Sequence, residues 1–330
     1  MTRYLLFLLM VSTVKANCQQ EENCYSPNCY CSNKWFPKMN VTDIPQMVYF
    51  GFDDAVNSLV SKYYDEIFTS NHSNPNGCPI TMSLYVSDHY TNYRLVKKYY
   101  DAGHEIGVHS VTHTRIDTTE LISKEAKQQR DNLIKYAEVK KDDIVGWRSP
   151  FLLSAGDDQP RILNNLGFKY DITLTYRGQD HNKYDIIWPS TLDFPWPYRC
   201  FLNCPRSAVK GFWQVPVIPL FDKNNKYKCT YVDGCIQPPY NETEAFDYLW
   251  NNFNNYYKSS RAPFGLNMHA AWFVYSDYRV SAVNKFLEKI LALKDVYVVS
   301  VKQVLEWMKN PTPLSKLKDF KPWSCAHPKL

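Results

Sequence analysis

The chain has 330 residues, 45% of them hydrophobic, which is enough for a full core, so one large α/β domain is as natural as two small ones. Its net charge of +5 is spread without a basic block, and that removes the electrostatic footprint of a nucleic-acid binder. The apolar run from Tyr4 to Val14 is far shorter than the roughly 20 residues that span a bilayer, and no later stretch comes closer.

That run follows Arg3 and leads through Lys15 and Ala16 to Asn17, the arrangement of a signal peptide over residues 1–16. All ten cysteines lie beyond it: Cys18, Cys24, Cys29, Cys31, Cys78, Cys200, Cys204, Cys229, Cys235 and Cys325. Their even number predicts disulfides and a secreted, extracellular protein, although pairing cannot be read from spacing. Sequons at Asn40, Asn71 and Asn241 agree with export. Residues 17–46 form a Cys-containing N-terminal segment; it has no His, and thiols are poor long-term ligands outside the cell, so disulfides are expected there rather than a zinc knuckle.

From residue 47 to 309, short β-branched or aromatic runs alternate with segments of helical period. Strands are predicted at Met47 to Phe52, Ile80 to Val86, Glu105 to Val108, Ile144 to Trp147, Phe168 to Leu174, Phe212 to Ile218, Phe264 to Met268 and Val296 to Val301. Helices are predicted near Ala55 to Phe68, Tyr90 to Ala102, Thr119 to Glu138, Gln159 to Leu166, Glu242 to Tyr257, Arg279 to Leu293 and Lys302 to Met308. Gly103 and Gly167 stand where a left-handed residue ends a helix. Seven or eight such units make a (β/α) barrel the natural closure, with an open doubly wound sheet as the other solution. Residues 189–240 break the rhythm and hold four cysteines, the mark of a disulfide-pinned insertion. The tail over 310–330 is expected to be extended, with Cys325 able to tie it down.

Asp53 and Asp54 stand side by side where the first strand ends. Alone they suit a helix cap. His109 and His113 follow the third strand, and a spacing of four can place two imidazoles on one face of a helical turn, so that with one carboxylate they make a His₂Asp set. Three protein ligands and an open fourth position are the pattern of a catalytic zinc site, and the second carboxylate is free to take a proton from water. Which Asp does which is not decided by the doublet. Arg148, in Trp147-Arg148-Ser149-Pro150-Phe151, suits a clamp on a carboxylate, and the Phe151 N–H suits an oxyanion donor. Asp193 is an acid with no helix to cap, and His269 can protonate a leaving amine. These groups fall at the carboxyl ends of predicted strands, the rim where barrel enzymes keep their catalytic groups.

In this order, the set resembles the polysaccharide deacetylase family (carbohydrate esterase family 4, NodB-homology), over roughly Pro45 to Pro311. Within it, Pro45-Gln46-Met47, Phe52-Asp53-Asp54-Ala55-Val56-Asn57, Gly265-Leu266 and His269-Ala270-Ala271-Trp272 are similar to animal, especially insect, chitin deacetylases. The resemblance implies a distorted barrel and a divalent metal, usually zinc, held by Asp54, His109 and His113. It implies Asp53 as base, Arg148 orienting it, His269 as acid and Asp193 tuning His269. Trp188, Trp196 and Leu266 become candidates for the acetyl-methyl pocket. Asp171 competes with Asp193 for its motif, and His104 is expected to be structural. The usual Thr before Phe-Asp-Asp is Gly51 here, and the usual His-Phe before the last His is Asn267-Met268. The expected reaction is hydrolysis of the N-acetyl amide in chitin to chitosan and acetate. The alternatives are a chitin-binding, matrix-organising protein on the same fold and a deacetylase of another acetylated glycan. Trp213, Trp272 and Tyr198 are weaker candidates for stacking on sugar.

Overall fold

A computed structural model describes residues 17–68, 72–178, 185–200 and 202–325. The expected signal peptide and the Asn71 sequon lie outside them. The strands are β1 (Gln46–Asp54), β2 (Ser83–Val86), β3 (Glu105–Val108), β4 (Gly146–Trp147), β5 (Tyr170–Asp171), β6 (Ser190–Thr191), β7 (Trp213–Gln214), β8 (Leu220–Phe221), β9 (Lys228–Cys229), β10 (Phe264–His269) and β11 (Val296–Val298). The helices are α1 (Ser58–Phe68), α2 (Tyr93–Asp101), α3 (Thr119–Ala137), α4 (Asp158–Asn165), α5 (Glu242–Tyr257), α6 (Ala271–Val274), α7 (Tyr278–Leu291) and α8 (Val301–Lys309). The expected helices all form, within a few residues of their predicted ends. The strands over Phe168 to Leu174 and Phe212 to Ile218 are shorter than expected, each reduced to a two-residue ladder that resumes at a bridge between Thr175 and Val217.

The main sheet runs β10-β1-β2-β3-β4-β5-β7-β6, with β11 beside the start of β1, and only the β6–β7 pair is antiparallel. β1 is buried along nearly its whole length and pairs with β10 on one side and with β11 and then β2 on the other, which explains its unbroken apolar start. The sheet curls. β4 and β10 lie four strand spacings apart along it, about 19 Å if it were flat, yet the Arg148 guanidinium that follows β4 bonds Asn267 on β10. The result is an incomplete, distorted (β/α) barrel with no pairing between β10 and β6 among the described residues. Tyrosines fill its floor: a Cβ on Gly146 would fall 2.2 Å from the Tyr170 hydroxyl, so only glycine fits there. Below the site Glu105 accepts from Tyr170, Ser83 and the Lys302 N–H, which leaves its buried carboxylate fully bonded.

Helix ends follow local chemistry. Thr118, Asn241 and Ser300 cap α3, α5 and α8, and Gly103 and Gly167 take φ of +93° and +92°. The disulfides are Cys18–Cys31, Cys24–Cys29, Cys78–Cys325, Cys200–Cys204 and Cys229–Cys235. In the N-terminal segment the Cys18, Cys24 and Cys31 sulfurs lie close together, but all three are in disulfides. Cys78–Cys325 ties down the tail across 247 residues of chain. Both bonds within residues 189–240 are local and join that stretch to itself, so its fixation to the barrel comes from packing and hydrogen bonds. No helix among the described residues is long and apolar enough to cross a membrane.

Candidate active site

The rim at the carboxyl ends of β1, β3, β4 and β10 gathers the acids and imidazoles. Asp53 is the register partner of His269, and Val108 that of Trp147, so His109 and Arg148 leave adjacent strands side by side. Consecutive strand residues face opposite ways, which on its own would part Asp53 from Asp54. Asp54 has φ +81°, and this backbone turn lets both carboxylates join one cluster. Ser110, His113 and Phe151 also have positive φ, at +79°, +50° and +57°. Such conformations persist only where surrounding contacts over-determine them. The doublet caps no helix; Asn57 accepts the Leu59 N–H at the start of α1.

Asp54 Oδ1 lies 3.1 Å from His113 Nε2 and 3.7 Å from His109 Nε2, and it is buried without a hydrogen-bond partner. The ligand atoms of these three residues all fall within 4.8 Å of one another. His109 Nδ1 lies 2.9 Å from the Arg148 carbonyl oxygen, which can only accept, so Nδ1 carries the proton and Nε2 offers its lone pair to the cluster. An orphaned carboxylate oxygen facing two imidazole nitrogens, one of them fixed as an acceptor, fits a divalent cation, and the borderline N₂O donor set suits zinc. Burial pushes the His109 imidazole down. Burial also works to raise Asp54, but the three histidines around it outweigh that effect and hold it at about 2. The Asp54 carboxylate beside it in turn lifts His113.

The expected helical turn carrying the two histidines does not form. His109 and His113 lie in a loop after β3, and the device that shapes it is Glu125 on α3. This buried carboxylate accepts the Val111 and Thr112 N–H at 2.7 and 2.9 Å and the Thr112 hydroxyl at 3.0 Å, while Ser110 Oγ accepts the His113 N–H.

Asp53 is 3% exposed, and both its oxygens are engaged: Oδ1 by Arg148 Nη1 at 2.6 Å and Oδ2 by the Tyr231 hydroxyl at 2.7 Å. Arg148 is fully buried, lies 4.3 Å over the Tyr85 ring, and gives its other terminal nitrogen to Asn267 Oδ1. Gly51 is the register partner of Asn267, and a Cβ on it would sit 3.0 Å from Asn267 Oδ1 and 3.2 Å from Arg148 Nη2. The two departures from the family pattern therefore interlock: Gly51 makes the room that the Asn267–Arg148 bond occupies.

His269 does not meet Asp193. Its Nδ1 lies 2.8 Å from Asp233 Oδ2, and its backbone N–H donates to Oδ1 at 3.3 Å, while Asp193 accepts the Gly211 N–H. Burial alone would lower His269, but the Asp233 bond and charge, helped by Asp53 and Asp54, lift it to about 9. Asp171 is no substitute: it is buried beneath Arg148, bonded to Gln159, and pushed by burial up to about 6.

The three pocket candidates are also corrected. Leu266 pairs with Phe50 in the core, and the pleat turns it away from Asn267 and His269. Trp188 packs against Phe36 and Trp307, and Trp196 is buried against Tyr198. Trp213 and Trp272 are likewise buried, so neither offers a face to a sugar. The aromatic ring that does reach the rim is that of Phe151, 59% exposed and edge-on to His113 at 4.9 Å. His104 is buried between the Phe68 and Tyr99 rings, accepting the Met82 N–H. Tyr231, Asp233 and Glu125 escaped the sequence reading, which marked Asn267 only as a departure from the family pattern. The alternation Tyr231-x-Asp233 inside Cys229 to Cys235 was the one usable signal.

A curled α/β barrel whose strand ends present a His₂Asp cluster, a second carboxylate and a histidine paired with Asp233 is the arrangement of a metal-dependent hydrolase. The polysaccharide deacetylase family model matches residues 40–170. Chitin deacetylase 1 and chitin deacetylase 8 of Bombyx mori are each 33% identical to the chain over 319 and 314 residues; the matches cover 91% and 90% of it, and 58% and 80% of the two relatives. The chain belongs to the polysaccharide deacetylase family. Among solved structures, a Mycobacterium smegmatis protein assigned to the polysaccharide deacetylases superposes with a TM-score of 0.56 at 18% identity, covering 87% of this chain and 96% of its own. One from Pseudomonas aeruginosa gives 0.50 at 15% identity, with 81% and 92% covered. At those identities the likeness is one of fold.

Proposed function

We propose that the protein is a secreted deacetylase that hydrolyses the N-acetyl amide of N-acetylglucosamine units in chitin, leaving glucosamine and releasing acetate. The observation that carries this is that Asp53 and His269 both stand beside the Asp54–His109–His113 cluster, Asp53 Oδ2 3.9 Å from His109 Nε2 and His269 Nε2 3.9 Å from Asp54 Oδ2, each with its own partner. Asp54, His109 and His113 would hold the cation, most simply zinc. When bound there, it supplies Lewis acidity to the acetyl oxygen and to water. Asp53 accepts the proton of the attacking water, and Arg148 keeps its carboxylate aligned. The Phe151 N–H faces the developing oxyanion. His269, kept protonated by Asp233, delivers a proton to the departing amine nitrogen. The chitin assignment is supported by the two Bombyx relatives, and export by five disulfides and three sequons. The test is acetate release from chitin oligomers with and without a chelator. Release that stops on chelation and returns with zinc is expected; zinc-loaded protein that binds chitin without releasing acetate would overturn the reading.

A further inference from the structure

The last strand before α5 runs into a small covalent ring, closed by Cys229–Cys235. Cys229 is anchored in β9, opposite Leu220 of β8. At its middle, the Val232 N–H donates to the Asn267 carbonyl of β10 at 2.9 Å, and the Val232 side chain is buried. The Gly234 N–H donates to the Tyr231 carbonyl at 3.0 Å, so the chain turns here and the residues flanking Val232 leave it towards the cleft. Those residues are Tyr231 and Asp233. The Tyr231 hydroxyl donates to Asp53 Oδ2 at 2.7 Å, and its ring stacks on His269 with centroids 4.9 Å apart and planes at 25°. Asp233 bonds His269 through the ring nitrogen and the backbone N–H. One short ring thus reaches both groups assigned to proton transfer, and no strand of the main sheet supplies either contact.

We propose that the Cys229–Cys235 ring is a positioning device of the active site, with Tyr231 as an additional positioning residue for Asp53 and Asp233 for His269, and that the disulfide keeps the two arms in place together. The proposal rests on the roles given above to Asp53 and His269. Without the bond, a surface segment containing Gly234 regains conformers in which one arm or the other leaves the cleft. The sheet itself, held by register and core packing, does not depend on this ring.

The experiment compares the full chain with a Cys229→Ser/Cys235→Ser variant, both zinc-loaded, in acetate release from chitin tetramer and in the proton NMR resonance of the His269 Nδ1–H, assigned with ¹⁵N-histidine. The variant is expected to keep its fold by circular dichroism and its bound zinc, to lose about 100-fold in kcat with KM little changed, and to lose the sharp downfield resonance. Wild-type kcat in the folded variant, or an unaltered resonance, overturns the proposal. Tyr231→Phe leaves the ring closed and decides the matter if the double variant does not fold: reduced kcat with the His269 resonance intact is expected, and full activity overturns the positioning role. A wild-type protein that releases no acetate would count against the proposed function, whereas the resonance comparison still tests the ring.

Discussion

The two flanks of the cleft are built by different means. On one, Asp53, Asp54, His109 and Arg148 extend from strands inside the sheet, locked by register, by a salt bridge with side chains 1% and 0% exposed, and by Glu125 beneath the histidine loop. On the other, His269 ends the edge strand β10 and is oriented by a disulfide-closed loop from outside the regular strand–helix alternation. The flank proposed to carry metal and base is therefore held throughout by the folding core, whereas on the flank proposed to carry the acid the core holds strand β10 and a loop holds its terminal imidazole. Substitutions on the first flank should cost stability or metal along with rate; those on the second should cost mainly rate.

The largest break is expected from Asp53→Asn, with kcat lower by roughly a thousandfold or more and zinc stoichiometry unchanged by metal analysis. Arg148→Met leaves Asp53 as an uncompensated buried charge, and urea unfolding should show a loss of about 3–5 kcal/mol. A pH test separates the core from the rim. Burial lowers His104 to about 4 from an ordinary 6.5, so the unfolded chain takes up a proton that the folded chain refuses. The His104 contribution should fall as pH drops through 6.5 and level off below 4, by roughly 3 kcal/mol in all; Asp171, raised on folding, works the other way in that window, so the expected slope is read in the difference between the urea midpoints of the unaltered chain and a His104→Leu variant. On the second flank, Asp233→Asn should cost about 10- to 100-fold in kcat and lower Tm by calorimetry less than Arg148→Met does. Glu125→Ala should weaken zinc by about 10- to 100-fold in competition titrations, a loss that no substitution in the Cys229–Cys235 ring should reproduce.

The alternation of strands and helices, the helix ends at Gly103 and Gly167, and the clustering of Asp53, Asp54, His109, Arg148 and His269 at strand ends were all legible in the chain. Each depends on neighbours in sequence: periodicity, a left-handed residue after a helix, a polar residue at the end of an apolar run. The partner of His269 was not legible, because Asp193 and Asp233 both lie far outside the local pattern around it and the choice between them depends on where a loop is laid. Leu266 was misplaced by one pleat position, since the same-face neighbour of His269 is Asn267.

By itself, then, the amino-acid order determined the class of fold, the export-type cysteine usage and the residues able to hold a metal or carry a proton, because composition and period act locally. Only the tertiary structure decided that Asp54 would turn at φ +81° to join Asp53, that the curl would bring Arg148 across to Asp53 and Asn267, and that a ring from outside the alternating strands would reach His269. Those contacts join residues far apart in the chain, and they are settled by sheet curvature and loop closure, which no local pattern encodes.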